Sequence, residues 1–402
     1  MALAALICAY HDAPDAPGGL RATLPLAGRT LIERQARLAA QAGASPIIVL
    51  VERVPHELAA VIDRLRSEGV AAAIARTAAD AARAIAREDR LLVIADGSVA
   101  DGAHVARLLS IRGPALLTVS DGLFDERFER IDAEARWAGL AVLDGAALHQ
   151  TAAMLRDWDL QSTLLRQAVQ FGARQLAIRV DGAEAPVVIA EKQEDLLAAQ
   201  SRIMDGSAGE REDWVSRYLL GPVEASATRA LMPSPLTPAW LYVGAGVMTG
   251  LAAILFAGGW LWMGGLAMLL ATPLDGIAKR LAALRLGASG EAELPARLLP
   301  FLAGGALLSL SYHLAGTRGW GCLVLAVSAI AFLWALSGEL GRRRTPDRFF
   351  LAERKGMTWL MLPFAAAGAW VVGLGALALY AAGSFFWAQH EAHRPRRAGQ
   401  QD

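Results

Sequence analysis

Among the aspartates that stand directly before a glycine, Asp96 and Asp275 are the candidates for phosphate chemistry. Asp96 follows the apolar run 92–95, and Asp275 ends a long apolar stretch and precedes Lys279 and Arg280. Carboxylates bind divalent cations, and arginine pairs with phosphate oxygens. Simpler interpretations also hold, because Asp-Gly after a strand is common in turns and a charged residue can end a membrane span. Each aspartate is therefore a candidate whose surroundings must decide its role.

The composition predicts a membrane protein. Hydrophobic residues make up 54% of the 402 residues, charged residues make up 19%, and the mean hydropathy is +0.35. The 39 basic and 39 acidic side chains cancel, so we expect no nucleic-acid partner. The two cysteines, Cys8 and Cys322, lie in different halves of the chain and predict neither a disulfide framework nor a thiolate metal site.

The first part of the chain, 1–208, has the pattern of an α/β domain. Aliphatic runs alternate with amphipathic stretches, which predicts parallel strands separated by helices in a doubly wound sheet. The predicted strands are 3–10, 46–51, 90–95 and 115–119, with helices near 31–42, 55–67, 78–87 and 103–111. Runs at 128–132 and 138–143 predict a hairpin, followed by a helix near 160–170 and a strand at 176–180.

The second part predicts an all-α transmembrane bundle of six helices. An amphipathic linker, 209–238, precedes the membrane domain 239–390, and a basic tail, 391–402, follows it. The runs 239–257, 260–274, 294–314 and 320–336 are each near the roughly 20 residues that a spanning helix needs. The longer segment 357–389 predicts two helices that meet near 373–375.

The arginines predict the orientation of the bundle. No secretory signal opens the sequence, so we expect the first domain to be cytoplasmic. Six spans then place the basic loops 279–297 and 342–355 and the basic tail on the cytoplasmic side, as the positive-inside rule requires. Five spans would place the tail outside. We therefore expect a multi-pass protein of the cell inner membrane.

Four motifs occur in order in the first domain: Leu-Pro-Leu-Ala-Gly-Arg-Thr-Leu-Ile-Glu-Arg-Gln at 24–35, Leu-Val-Ile-Ala-Asp-Gly-Ser at 92–98, Asp-Trp-Asp-Leu-Gln-Ser-Thr-Leu-Leu at 157–165, and Glu-Asp-Leu-Leu-Ala-Ala at 194–199. Together they resemble the nucleotidyltransferases of the MobA-like and sugar-phosphate type over about the first 205 residues. The resemblance implies a nucleotidyltransferase-like fold. It also implies that Asp96 binds Mg²⁺ or Mn²⁺ and that CTP is a substrate.

The sequence departs from this family at three places. Arg21 stands where the family has a lysine; it keeps the charge but differs in shape. The preceding turn, 13–19, contains two prolines and an aspartate where close approach to phosphate favours glycine. The later carboxylate pair falls on Ile189 and Glu191. Arg21 and Asp96 are the implied catalytic residues, and the domain is either an altered nucleotidyltransferase or one that kept the fold and changed its chemistry.

A further motif, Thr-Pro-Leu-Asp-Gly-Ile-Ala-Lys-Arg at 272–280, ends the second predicted span. It resembles the motif of the CDP-alcohol phosphotransferases (phosphatidyltransferases): Asp-x-x-Asp-Gly-x-x-Ala-Arg, eight residues, then Gly-x-x-x-Asp-x-x-x-Asp. Trp-Val-Ser-Arg at 214–217 and Leu-Thr-Pro at 236–238 resemble the segments that precede the first span in this family. Four carboxylates there hold two divalent ions against the diphosphate of a CDP-linked donor, and the last is the base.

Part of this motif is retained. Asp275 is the implied catalytic metal ligand, and Gly276 and Arg280 are the implied contacts to the donor. The altered positions, aligned without gaps, are Thr272, Lys279, Ser289, Glu293 and Arg297 in place of Asp, Ala, Gly, Asp and Asp.

Two of the altered positions bear on the chemistry. Glu293 is the implied second metal ligand, and Glu291 is an alternative carboxylate outside the register. Arg297 stands at the position of the base, and arginine cannot accept a proton near neutral pH because its pKa exceeds about 12. If the register holds, the usual displacement should be absent or badly impaired.

The two domains together resemble bifunctional enzymes that make a CDP-activated polyol, such as CDP-inositol, and transfer it. The first hypothesis is a membrane-bound transferase in phospholipid or polar head-group synthesis, which uses Mg²⁺ or Mn²⁺, CTP or a CDP-alcohol, and a lipid or polyol phosphate acceptor. The second is a catalytically inactive membrane protein that binds a nucleotide, a lipid or a paralogue as a regulator. A homodimer is a further expectation.

Overall fold

The structure is a computed structural model that describes residues 2–15, 18–121, 126–154, 159–178, 187–209, 213–232, 234, 236–285, 289–342 and 350–393. The chain divides into two compact units. The first comprises Met1–Gly206 with Leu284–Ala288, and the second comprises Ser207–Ala283 with Ser289–Asp402.

The first unit is built on a seven-stranded mixed sheet. Its strands are β1 (Leu3–Cys8), β4 (Ile47–Leu50), β5 (Ala72–Ala75), β6 (Arg90–Ile94), β8 (Ala115–Ser120), β9 (Ala135–Asp144) and β10 (Arg174–Ala177), in the order β10-β8-β9-β6-β1-β4-β5. Two small ribbons pair β2 (Pro25–Leu26) with β3 (Arg29–Thr30) and β7 (Ser98–Val99) with β11 (Val188–Ile189). The central strands are buried because helices cover both faces of such a sheet.

Seven helices accompany this sheet in the described residues: α1 (Leu31–Gln41), α2 (His56–Ser67), α3 (Ala78–Ala84), α4 (Gly102–Leu109), α5 (Gly145–Met154), α6 (Leu160–Gln170) and α7 (Gln193–Gly209). A capping box begins α1, since Glu33 N donates to the Thr30 hydroxyl and Thr30 N donates to the Glu33 carboxylate. Asp159 begins α6 by accepting from Ser162 N. These caps set where the helices begin beside the loops that follow the strands.

The α/β prediction is confirmed, and one part of it is wrong. The strands expected at 3–10, 46–51, 90–95 and 115–119 correspond to β1, β4, β6 and β8. The expected hairpin does not form, because β9 pairs antiparallel with β6 and β8 and 128–132 contributes only an isolated bridge. The strand expected at 176–180 is β10, which ends at Ala177; 179 and 180 lie outside the described residues.

The regular elements of the second unit are all helices in its described residues. A π-helical turn, Ser216–Leu220, leads into α8 (Gly221–Leu231), and the longer helices are α9 (Pro238–Ala257), α10 (Leu261–Arg285), α11 (Ser289–Arg318), α12 (Gly321–Arg342) and α14 (Trp370–His393). Five helices of the described chain are long and apolar enough to cross a membrane, which makes this a multi-pass membrane protein. Large apolar side chains such as Ile254 and Leu379 are exposed on them, as lipid-facing residues are.

The count of six spans is not confirmed. The remaining helix, α13 (Arg354–Ala366), has 13 residues, or about 20 Å at 1.5 Å per residue, which is short of a bilayer core. The break predicted near 373–375 is wrong: α13 and α14 separate at Gly368, whose φ of +67° suits a glycine after a helix end. Gly373 instead packs against α13, because a Cβ there would lie 2.9 Å from Cβ of Phe364.

Candidate functional sites

The carboxylate of Asp96 is held by the loop that follows β1. Its Oδ2 atom accepts from Tyr10 N at 2.9 Å and His11 N at 2.7 Å, and lies 3.0 Å from His11 Nδ1. The residue is 5% exposed. Two backbone amides that could face a ligand therefore bind a carboxylate of the protein itself.

The turn that carries Asp96 is fixed from both sides. Gln35 of α1 donates to the carbonyl oxygens of Ala95 and Ser98 at 3.1 and 2.9 Å, and Asp96 N donates to Gln161 Oε1 at 3.1 Å. The second carboxylate oxygen, Oδ1, is buried without a hydrogen-bond partner in the described part of the chain. Asp96 can therefore offer one oxygen to a cation, and Mg²⁺ can be held by one carboxylate when phosphate oxygens and water complete its shell.

Gly97 joins this turn to the ribbon of β7 and β11. Its φ is +75°, and a Cβ would overlap the carbonyl oxygen of Ala190, whose amide donates to Gly97 O at 2.8 Å. Glu191 follows directly, and its Oε1 atom lies 3.3 Å from Arg21 Nη2. The structure thus brings together Arg21 and Glu191, two positions that the resemblance singles out, on the strand connection next to Asp96.

His11 is a site residue that sequence reasoning missed. The hydrogen bond to Asp96 is the main cause that raises the pKa of its imidazole above the ordinary value of 6.5, against partial burial. The protonated ring then places a cation on the carboxylate expected to bind a metal. A histidine that follows a strand carries no spacing signal, so only the structure reveals this pairing.

The His11–Asp96 pair should make stability depend on pH. Because the folded-state pKa is raised, the stabilisation by His11 is fully present below about pH 6.5 and is lost as the pH rises through that pKa. We expect the unfolding temperature of the full chain to exceed that of His11→Gln most at low pH. The difference is small because the His11 side chain is half-exposed. His56→Gln, at an exposed position, is the control, and a difference independent of pH would contradict the prediction.

In the second unit, α8 places a buried carboxylate against the retained motif. Glu224 is 1% exposed; its Oε1 lies 2.8 Å from Lys355 Nζ and its Oε2 lies 3.3 Å from Arg280 Nε. Lys355 also donates to the Ser216 hydroxyl at 2.7 Å. Arg280, the implied phosphate contact, is therefore paired with a carboxylate of the protein.

Gly276 is required by this packing. A Cβ at this position would overlap Oε1 of Glu224 and lie 2.6 Å from Nζ of Lys355. The glycine of the motif therefore lets a carboxylate and an ammonium group approach the backbone of α10.

Asp275, the implied metal ligand, is occupied by cations. Its Oδ2 atom lies 2.9 Å from Arg354 Nη2 and 4.0 Å from Lys279 Nζ, and the residue is buried. The Nη1 atom of Arg354 is buried without a hydrogen-bond partner in the described residues. We refer to these residues together as the charged cluster: Glu224, Asp275, Lys279, Arg280, Arg354 and Lys355.

At the first carboxylate position of the motif this chain has a neutral residue, Thr272. Thr272 is fully buried; its hydroxyl donates to Leu269 O at 2.7 Å and accepts from Trp359 Nε1 at 3.2 Å. On α11, Arg297 is exposed, while the side chains of Glu291 and Glu293 lie outside the described residues. The described structure therefore shows Asp275, Gly276 and Arg280 together and leaves Glu293 as a prediction.

The charged cluster does not fit a pair of divalent ions. Four cations surround two carboxylates, and both carboxylates already form ion pairs. Within the described residues, no three histidine, cysteine or carboxylate side chains lie close enough to hold one metal ion. Burial raises the pKa of the Glu353 carboxyl group, next to Arg354, against the attraction of Lys279.

Sequence reasoning missed Glu224, Arg354 and Lys355. Arg354 and Lys355 belong to the basic loop 342–355, which was expected to set the membrane orientation. Glu224 belongs to the amphipathic linker, where an acidic side chain is usually exposed to solvent. A signal did exist for Lys355. It stands with Arg354 at the start of an apolar helix, where a basic side chain can face the interior of the helical bundle. Nothing in the spacing connects Glu224 with Gly276.

No protein-family model and no curated protein matches the chain. Among solved structures, a proposed glucose-1-phosphate thymidylyltransferase from Bacillus anthracis, in complex with a sucrose, is 12% identical, has a TM-score of 0.40, and covers 50% of this chain and 94% of its own. A phosphatidylinositol phosphate synthase from Mycobacterium tuberculosis with CDP-DAG bound is 16% identical, has a TM-score of 0.38, and covers 45% of this chain and 99% of its own. The comparisons match the two resemblances stated from the sequence, at low identity.

Proposed function

We propose that this chain is a membrane protein of the CDP-alcohol phosphotransferase type, with a fused nucleotidyltransferase-like domain, that binds a phosphate-bearing ligand without metal-dependent transfer. The observation that carries the proposal is the pairing of Asp275 with Arg354. In this proposal the protein lies in the inner membrane with a cytoplasmic first domain.

The proposal rests on the charge of the site. A metal pair needs free carboxylates, whereas the charged cluster has more cations than carboxylates. A buried arginine nitrogen without a partner costs free energy, and a phosphate oxygen would supply the missing acceptor. Lys279, whose side chain is 59% exposed, adds a second donor at the edge of the site. A nucleotide and a lipid head group share this phosphate chemistry.

The absence of transfer is tested directly. Purified full-length protein is incubated with a labelled CDP-alcohol and a phospholipid or polyol phosphate acceptor in Mg²⁺ or Mn²⁺. We expect no release of CMP above the protein-free background, for the wild type and for Asp275→Asn alike. Metal-dependent release that Asp275→Asn abolishes would establish the transferase and overturn the proposal.

Binding is tested without metal. In EDTA, we expect Arg354→Gln to weaken phosphate binding by about tenfold to a hundredfold, because a charge-assisted hydrogen bond contributes about 1.5–3 kcal/mol. Calorimetry with CMP tests a nucleotide source, and vesicles that contain phosphatidic acid test a lipid source. Arg229→Gln, at an exposed position of α8, is the matched control. Equal binding by both variants would remove Arg354 from the site.

Nucleotidyl transfer by the first domain alone is the second candidate function. The Oδ1 atom of Asp96, which has no hydrogen-bond partner in the part of the chain that the structure describes, favours it together with the nearby Arg21–Glu191 pair. With Mg²⁺ or Mn²⁺ at Asp96 and Arg21 on a phosphate of CTP, the site would support nucleotidyl transfer. Release of pyrophosphate from CTP and a polyol phosphate, lost in Arg21→Gln, would support this candidate.

A further inference from the structure

Glu224 is buried in a setting that would suit an external anion. Its two oxygens lie next to Lys355 and Arg280, and the ammonium group of Lys355 also donates to the hydroxyl of Ser216. Its carboxylate lies so close to the backbone of α10 that only glycine fits at 276. Two cations beside a glycine form a site that suits an oxyanion. In this chain the oxyanion at that site is the carboxylate of Glu224.

A second anion position lies next to the first. Asp275 and Gly276 are neighbours on α10, and Arg354 and Lys355 are neighbours at the start of α13. Lys355 pairs with Glu224, which fills the first anion position, whereas Arg354 has a buried Nη1 atom with no hydrogen-bond partner among the described residues. The charged cluster thus has one filled anion position and one with a free donor.

We infer that Glu224 takes the place of one phosphate group and limits the membrane site to ligands with a single phosphate; this rests on the proposed function. A diphosphate that reached Arg354 would bring its second phosphate toward the carboxylate of Glu224. The like charges repel, and the repulsion is strong where water is excluded. A monophosphate needs only the position at Arg354. Glu224 is therefore a specificity-determining residue.

The experiment compares CMP with CDP on the full-length protein in detergent and EDTA. We expect the wild type to bind CMP at least about tenfold more tightly than CDP. In Glu224→Gln, CDP binding should improve by about tenfold or more, while CMP binding changes less than about threefold. Glu57→Gln, which makes the same charge change at an exposed position of α2, should leave both affinities unchanged. A wild type that prefers CDP, or a Glu224→Gln protein with the same preference, would overturn the inference.

Two further variants allow for loss of folding in Glu224→Gln. Glu224→Asp keeps the charge but withdraws the carboxylate by one methylene, so CDP binding should improve by about threefold. No gain in a folded Glu224→Asp protein would overturn the inference. Glu224→Gln with Lys355→Gln removes the carboxylate and its cation together; it should fold without gaining CDP binding, and a gain there would contradict a role for Lys355.

Failure of the proposed function gives a different pattern. If the wild type binds neither nucleotide but Glu224→Gln binds CDP, the proposed ligand is wrong and the role of Glu224 stands. If CMP binding depends on Arg354 but the preference for CMP over CDP is the same in the wild type and in Glu224→Gln, the proposed function stands and the inference is wrong. If neither protein binds either nucleotide or vesicles that contain phosphatidic acid, both are wrong.

Discussion

Gly276→Ala is expected to destabilise the membrane domain by about 3–5 kcal/mol, the cost of breaking a buried ion pair. The added Cβ would overlap Oε1 of Glu224 and would lie 2.6 Å from Nζ of Lys355. Gly276 lies inside α10, so its backbone cannot move away without disrupting that helix. Glu224 must leave, and Lys355, which is 4% exposed, then loses its carboxylate. Chemical unfolding of the full-length protein in detergent measures the loss.

Gly375→Ala is the matched control, because that glycine is also inside a helix and a Cβ there meets no atom within 4 Å. It should be neutral or slightly stabilising, since alanine favours helix by about 1 kcal/mol over glycine. Removing the obstructing side chain gives a second check: Gly276→Ala combined with Glu224→Ala should cost less than the sum of the two single changes. Equal stability of Gly276→Ala and Gly375→Ala would show that Glu224 does not pack against α10.

Gly97→Ala is expected to destabilise the first domain by about 3–4 kcal/mol, in the upper range for a single substitution. The φ of +75° alone costs alanine about 1 kcal/mol, and the Cβ would also overlap a backbone oxygen, that of Ala190. Relief requires breaking the hydrogen bond from Ala190 N to Gly97 O, which holds β7 beside β11. Thermal unfolding followed by a probe in the first domain measures the change.

The control for Gly97→Ala separates backbone strain from overlap. Gly43 has a φ of +87°, yet a Cβ there would meet no atom within 4 Å. Gly43→Ala should therefore cost only about 1 kcal/mol, from the φ angle alone. If both variants lose the same stability, the close approach of Ala190 contributes nothing and the connection from Asp96 to Glu191 is looser than described.

Much of the first fold could be predicted because buried strands are continuous aliphatic runs. β1, β4 and β6 consist of such runs, whereas β5, with the sequence Ala-Ala-Ile-Ala, was missed because alanine favours strands weakly. Its strand conformation comes from pairing with β4, a tertiary contact. The expected hairpin failed for a related reason: β9 finds longer partners in β6 and β8 than in the segment that precedes it.

In the candidate sites, the residues of the motifs could be predicted, but their binding partners could not. Asp96 and Asp275 were found from spacing and resemblance, but the groups that bind them were not. The amides of Tyr10 and His11 are backbone donors, which leave no trace in a sequence. Glu224 and Arg354 reach the motif only because α8 and α13 fold against α10. The partners of a retained residue, more than its identity, decide whether it is free to hold a metal.

The charged cluster also has a consequence for biosynthesis. Its members come from α8, α10 and the start of α13, so Glu224 and Asp275 are made well before Arg354 and Lys355. Until α13 leaves the ribosome, the carboxylates next to the growing bundle lack half of their cations. A product truncated before residue 354 would keep Arg280 beside Glu224 and Lys279 beside Asp275 but would lack the two cations that α13 supplies.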